Sequence, residues 1–204
     1  MTLRHFIAPV IVLSILSTLG GCSPNDDGAP VDSLEDQTSQ NLSTPFNTEI
    51  PEGIAQGSNE AIAWEALMGP DGEYAAAASY QAVLDQFGPV EPYATIKESE
   101  ERHIDALTRQ LNRYNITVPA NPYLGIVEAP EDLETAAQEW AVGEILNVDM
   151  YDQLMEQATD DRLVRVLENL RRASLEEHLP AFEAAAANGG TLDPGTMSSE
   201  SGRN

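Results

Sequence analysis

The chain has 204 residues and a formal charge of −24, from 34 acidic and 10 basic side chains. Such a surface repels phosphate backbones and anionic lipid, which excludes nucleic-acid binding as a function class. With Cys22 as the only cysteine, neither an internal disulfide framework nor a thiolate metal cluster can form.

The first element is an apolar run, Phe6 to Leu19, behind the short polar stretch Arg4-His5. It is too short for a membrane span of roughly 20 residues and has the pattern of a secretory signal. It closes in Leu19-Gly20-Gly21-Cys22, which resembles the lipobox of bacterial lipoproteins. The expectation is a signal peptide over 1–21 and a lipidated Cys22. The acyl chains would hold the protein to a membrane, with each buried CH₂ contributing about 0.8 kcal/mol. The predicted address is the extracytoplasmic side of the cell envelope; Ser23 after the cysteine favours the outer membrane in a Gram-negative cell. Residues 22–57 are rich in Ser, Thr, Asn, Asp, Pro and Gly and read as a disordered tether. Residues 188–204 read as a disordered tail of similar composition.

Between them, residues 58–187 read as one helical domain. Ala, Leu, Glu, Gln and Arg dominate, and no β-branched run alternates with period two. A short helix over Asn59–Met68, capped by Ser58, breaks at Gly69-Pro70-Asp71-Gly72. A longer one runs from Glu73 to Phe87 and stops at Gly88-Pro89. The next spans Glu91 to Tyr114, followed by a Pro-rich loop, 115–129, that is long for a bundle connection. A third long helix starts at Pro130 and reaches Ala158. Thr159 is the predicted cap of a fourth, which ends near Ala187 with a kink at Pro180. The predicted fold is all-α, an antiparallel four-helix bundle, with the long loop as the place where a ferritin-like crossover would sit.

The apolar stripes carry polar residues in chemically suggestive places. In the Glu91–Tyr114 helix, steps of three and four run through Tyr93, Ile96, Glu100, His103, Leu107 and Leu111. Glu98, Glu101, Arg102 and Asp105 fall on other faces. A buried carboxylate costs several kcal/mol unless it is paired or coordinated, so Glu100 and His103 read as partners in a site. Glu73 heads the stripe of its helix, where it also suits the positive end of the helix dipole. Glu144 lies in line with Trp140, Val148 and Tyr151, but Val142, Ile145 and Leu146 blur that stripe and leave a half-exposed Glu144 as the alternative. His178 follows Leu163, Leu167, Leu170 and Ser174, with Glu177 at the edge. Carboxylates and histidines from four helices suit a metal site of the kind built inside bundles, with iron, manganese or zinc as the fitting ions. The template takes Glu-x-x-His from two helices; here only Glu100-x-x-His103 has it, because Leu175 stands three before His178.

Further residues add a resemblance. Ser99-Glu100-x-Arg102-His103-x-Asp105-Ala106, followed by Leu111-x-Arg113-Tyr114-x-Ile116, resembles the second helix of ferritin-like bacterial and archaeal proteins catalogued as domain of unknown function 2202. In the same order come Phe87-Gly88, Val142-Gly143 with Asp149-x-x-Asp152, and Glu168-Asn169-Leu170 before His178-Leu179-x-Ala181-Phe182. The resemblance covers about Ala61 to Ala184 and implies a ferritin-like bundle with a metal centre, but no established activity. The chain departs from that pattern by lacking consecutive acids before Glu73, by Leu146 and Asn147 where an acidic pair is usual, and by a shorter loop between the second and third helices. The first two departures remove ligands.

The leading expectation is a membrane-tethered envelope protein with non-haem iron or another divalent metal held by Glu73, Glu100, His103, Glu144 and His178. Oxidation of Fe(II) or handling of peroxide would be its chemistry, as a monomer or dimer rather than a storage shell. The competing expectation is a metal-free module that binds an envelope protein partner. There Glu100 and His103 would serve a buried polar network, with Arg102, Asp105 or Arg113 reaching another helix.

Overall fold

The computed structural model describes residues 48–196; the predicted signal segment, Cys22 and most of the predicted tether lie outside the described residues, as does the end of the predicted tail. The protein is all-α. Its helices are α1 (Asn59–Met68), α2 (Glu73–Phe87), α3 (Tyr93–Arg113), α4 (Leu133–Gln157), α5 (Asp161–Ala173) and α6 (Leu179–Ala187), with a π-helical turn, Ser174–His178, joining the last two. Among the described residues no strand forms, and no helix is long and apolar enough to cross a membrane.

The helix ends follow side-chain chemistry. Ser58 Oγ accepts from the Ala61 N–H at 3.3 Å and starts α1. Gly88, at φ 85°, stops α2 in a conformation costly for other residues. Predicted starts are displaced at α3, which begins at Tyr93 rather than Glu91, and at the two helices that follow. Helix α4 begins after Asp132, whose carboxylate accepts from the Thr135 N–H at 2.7 Å, not at Pro130. Helix α5 is capped by Asp160, which accepts from the Arg162 N–H at 2.8 Å. In both, a carboxylate meets the positive helix end and is the better acceptor. Thr159 instead gives its N–H to Asn59 Oδ1 at 2.8 Å, which fastens this turn to α1.

Pro180 acts one turn earlier than a simple kink would. It has no N–H to return to the Glu176 carbonyl, and its ring crowds that oxygen. The ladder opens just upstream: the Leu179 N–H reaches back to the Ser174 carbonyl, and the turn gains a residue.

Helix α4 packs against α5, the π turn and α6; α2 packs against α3; α1 lies against α2, α3 and α4. Two apolar clusters result. One gathers Leu67, Met68, Leu107, Leu111, Leu163 and Leu167, the other Tyr80, Tyr93, Ile96 and Phe182. Along α3 the sequence passes from Ile96 in one cluster to Leu107 in the other, with Glu100 and His103 between. From α5 to α6 it passes from Leu170 to Phe182, with Ser174 and His178 between.

The folded part outruns the predicted bounds Ser58 and Ala187. Trp64 donates its indole N–H to the Thr48 carbonyl at 3.0 Å, and Ile50 packs on the first cluster. At the other end, the Leu192 N–H donates to the Glu91 carbonyl at 2.8 Å and its side chain joins the second cluster. Apolar residues within these polar segments find a surface to cover. Gly190 shows how close the approach is. It sits at φ 92°, and a Cβ there would run into the Leu133 carbonyl group. Gly190→Ala is therefore expected to cost about 3 kcal/mol in urea denaturation. Gly189→Ala, with open space around its Cβ position, should cost only the left-handed strain of about 1–2 kcal/mol.

Candidate metal centre

Each predicted site residue reaches the interior from its own helix. Glu73 opens α2, Glu100 and His103 lie one turn apart on α3, Glu144 is central in α4, and His178 ends the π turn. Glu73, Glu100, Glu144 and His178 are buried, and the His103 side chain is 12 % exposed. The half-exposed alternative for Glu144 is set aside. Glu144 is fully buried, whereas Val142 at 55 % and Ile145 at 49 % are the exposed members of that stretch. Arg102 and Asp105 face solvent, and Arg113 pairs with Asp160 at the surface, so none of the three joins the buried set.

The five residues form two groups that share Glu100. Glu73, Glu100 and His103 make one; Glu100, Glu144 and His178 make the other; within each, one ligand atom per residue lies within 4.8 Å of the others. The carboxylate of Glu100 faces both ways. Its Oε2 stands 2.6 Å from His103 Nδ1, and its Oε1 stands 3.1 Å from His178 Nδ1. The outer contacts are longer: His103 Nδ1 to Glu73 Oε2 is 3.5 Å, and His178 Nδ1 to Glu144 Oε1 is 3.5 Å. Donors about 2.1 Å from one ion stand roughly 3.0 Å apart at right angles and 3.4 Å apart at the tetrahedral angle. In the second group the two His178–carboxylate distances, 3.1 and 3.5 Å, lie near these values. In the first, the short His103–Glu100 contact is a hydrogen bond, so a proton occupies the place an ion would take.

Orphaned atoms point the same way. Glu100 Oε1, Glu144 Oε2 and both ring nitrogens of His178 are buried without a hydrogen bond among the protein atoms. His178 Nδ1 and Glu100 Oε1 are near each other but not aligned as donor and acceptor. Buried polar atoms are nearly always satisfied, because leaving one unpaired costs about 1–3 kcal/mol. Two carboxylates and an imidazole this close together form a donor set that a cation would satisfy.

Two tyrosines that the sequence reading counts only as apolar stripe members complete the arrangement. Tyr80 on α2 donates to Glu144 Oε1 on α4 at 2.8 Å, and Tyr151 on α4 donates to Glu73 Oε1 on α2. The pairing is reciprocal. Each helix carries Glu followed by Tyr two turns later, Glu73 with Tyr80 and Glu144 with Tyr151, and each tyrosine serves the other helix's glutamate. The repeated spacing is visible in the sequence, but only the fold gives it meaning. Each phenol fixes the outer carboxylates in place. Partners of this kind are worth about 10–100-fold in metal affinity. Tyr80→Phe is expected to weaken binding by that factor through Glu144, and Tyr151→Phe through Glu73, with competition by a coloured chelator as the measurement.

The electrostatics are those of a metal-free site that holds protons instead. Burial, reinforced by the charge of Glu100, pushes the Glu73 carboxyl up to about 8 against the opposing pull of His103. Burial also acts to raise Glu100, but His178 and His103 outweigh it and hold Glu100 well below the usual carboxylate range. Burial disfavours charge on His103, yet Glu73 and Glu100 lift it to about 10. The same contest lifts His178 well above its ordinary value, through Glu100 and Glu144. Burial first, then the carboxylates beside them, keep Tyr80 and Tyr151 protonated and so fixed as donors.

No family model, curated protein or solved structure matches this chain.

Proposed function

We propose that this domain is a ferritin-like four-helix bundle whose interior holds two divalent metal ions, non-haem iron above others. The four rods are α2, α3, α4 and the continuous α5–π turn–α6, with α1 packed across one end. The observation that carries the reading is the pair of buried Glu/His groups sharing Glu100, with orphaned atoms in the Glu100, Glu144 and His178 group. In this reading Glu100 would serve both ions. Glu73 and His103 complete one ion's protein ligands, and Glu144 and His178 complete the other's. Oxygen and imidazole donors without a thiolate suit iron, manganese or zinc. Iron there would supply one-electron chemistry toward oxygen or peroxide. The chain's own contribution is to hold the carboxylates in place through Tyr80 and Tyr151 and to keep bulk water out. The lipobox resemblance at Cys22 supports an address on the outer side of a membrane, with a lipid anchor.

Metal analysis tests the reading. The soluble domain is loaded anaerobically with Fe(II), Mn(II) or Zn(II), and wild type is compared with Glu100→Ala/His103→Ala. Two ions per wild-type chain and none in the variant is the expected result; equal content in both would sink the proposal. Oxygen consumption on adding Fe(II) then separates an oxidising centre from a binding one. A protein with a purely structural Glu–His network would hold no stoichiometric metal at all.

A further inference from the structure

The site has an internal two-fold pattern that one corner breaks. Glu73 with Tyr80 on α2 mirrors Glu144 with Tyr151 on α4, and their hydrogen bonds cross. His103 on α3 mirrors His178 at the end of the π turn; their ring centroids are 5.6 Å apart. Glu100, which bridges the two groups, then needs a counterpart on the α5–α6 rod. The sequence spacing points to Leu175, three before His178, but Leu175 is exposed, as are Glu176 and Glu177. The residues of that turn that face inward are Ser174 and His178, both buried. Ser174 stands four before His178, where Glu100 stands three before His103, and the π turn accommodates the extra residue. Ser174 is thus the counterpart of Glu100, and it carries no charge.

Two consequences follow, both resting on the two-ion reading. Three carboxylates balance only part of the charge of two divalent ions, and one positive charge remains in a buried place. Uncompensated buried charge costs several kcal/mol. A serine side chain is also smaller than a glutamate's by about the size of a formate ion. Charge and volume ask for the same thing at the same corner.

We propose that the Ser174 corner binds a small carboxylate anion, of formate or acetate size, across the two ions held by Glu73, Glu100, His103, Glu144 and His178. The anion would occupy the Ser174 corner, across the site from Glu100. Its natural source is a small organic acid or the carboxyl end of a larger substrate narrow enough to enter beside Ser174.

The test uses protein loaded with Co(II), whose visible absorption reports its ligands, and needs no catalytic turnover. Formate and acetate should each shift the spectrum saturably, against sodium chloride at equal ionic strength, while the bulkier pivalate should not. Ser174→Glu should keep two Co(II) ions and lose the acetate response, since the new carboxylate fills the corner. Ser174→Ala should keep the response. An unchanged spectrum with formate and acetate, an equal effect of pivalate, or an undiminished response in Ser174→Glu would each overturn the proposal. If Ser174→Glu fails to fold, by its helical circular dichroism, the anion size series in the wild-type protein decides alone. Uptake of fewer than two Co(II) ions would overturn the two-ion reading as well, whereas two ions without an anion response overturns only this inference.

Discussion

Glu100→Ala is expected to empty both metal positions at once, whereas Glu73→Ala and Glu144→Ala should each empty one. Glu100 is the only side chain common to both groups, so its removal leaves two ligands on each side. Counting ions per chain after gel filtration gives the pattern directly, and any variant order other than this one contradicts the shared-bridge arrangement. The same substitution should also weaken the metal-free fold. It takes from His178 its closest carboxylate, at 3.1 Å, and from His103 its hydrogen-bond partner at 2.6 Å. Breaking a buried charge pair by removing one partner costs about 3–5 kcal/mol. In a domain of this size that lowers the thermal midpoint by roughly 10 °C. The neighbouring Glu101→Ala is the control. Glu101 is exposed and paired with Lys97 along the surface of α3, an interaction worth about 0.5 kcal/mol or less. Two acids one residue apart should therefore differ several-fold in effect.

That contrast explains what the sequence of α3 made readable. Period and burial agree there: Ile96, Glu100, Leu107 and Leu111 are buried, and Glu98, Glu101, Arg102 and Asp105 are exposed, so an acid on the apolar stripe stood out. In α4 the signal was blurred because Val142 and Ile145 lie on the outer face, and apolar residues on both sides hide the period. The inward stripe of the α5–α6 rod is legible from Leu163 to Phe182. The stripe through Leu170, Ser174 and His178 is the buried one, and only the π turn that joins α5 to α6 has no sign in that period. The tyrosine partners were hidden for another reason. A tyrosine on an apolar stripe looks the same whether its hydroxyl meets a ligand carboxylate or a backbone carbonyl, as Tyr93 does with Leu133. Nor does composition tell a free tether from a docked one. Thr48, Ile50 and Leu192 occur in polar stretches, and their partners lie far away in sequence.

The second large effect is on pH, and its sign reverses between the metal-free and loaded protein. In the metal-free fold Glu73 is raised from 4.5 to about 8 and His103 from 6.5 to about 10. A group with a raised folded value binds its proton more tightly when folded. Its stabilisation is present in full below the unfolded value and is lost as pH climbs to the folded one. Glu73 thus withdraws stability between 4.5 and about 8, and His103 between 6.5 and about 10. Glu100, held low, works in the other direction: its contribution is present above 4.5 and lost on acidification. The metal-free domain should be most stable in mild acid and lose stability steadily above neutral pH. Ions compete with those same protons. Near neutral pH, loading the first group must displace the proton on Glu73 and the one on His103, so apparent affinity should rise with pH and flatten above about 10. Because bound metal stabilises with the logarithm of its affinity, the loaded domain should grow more stable over the range in which the empty one weakens. Calorimetric titration in buffers of different ionisation heat counts the protons released. Thermal melts at several pH values, with chelator or with excess metal, give the two slopes. Parallel slopes would mean that the protons at Glu73 and His103 do not share their places with an ion, and the buried cluster would then be a polar network alone.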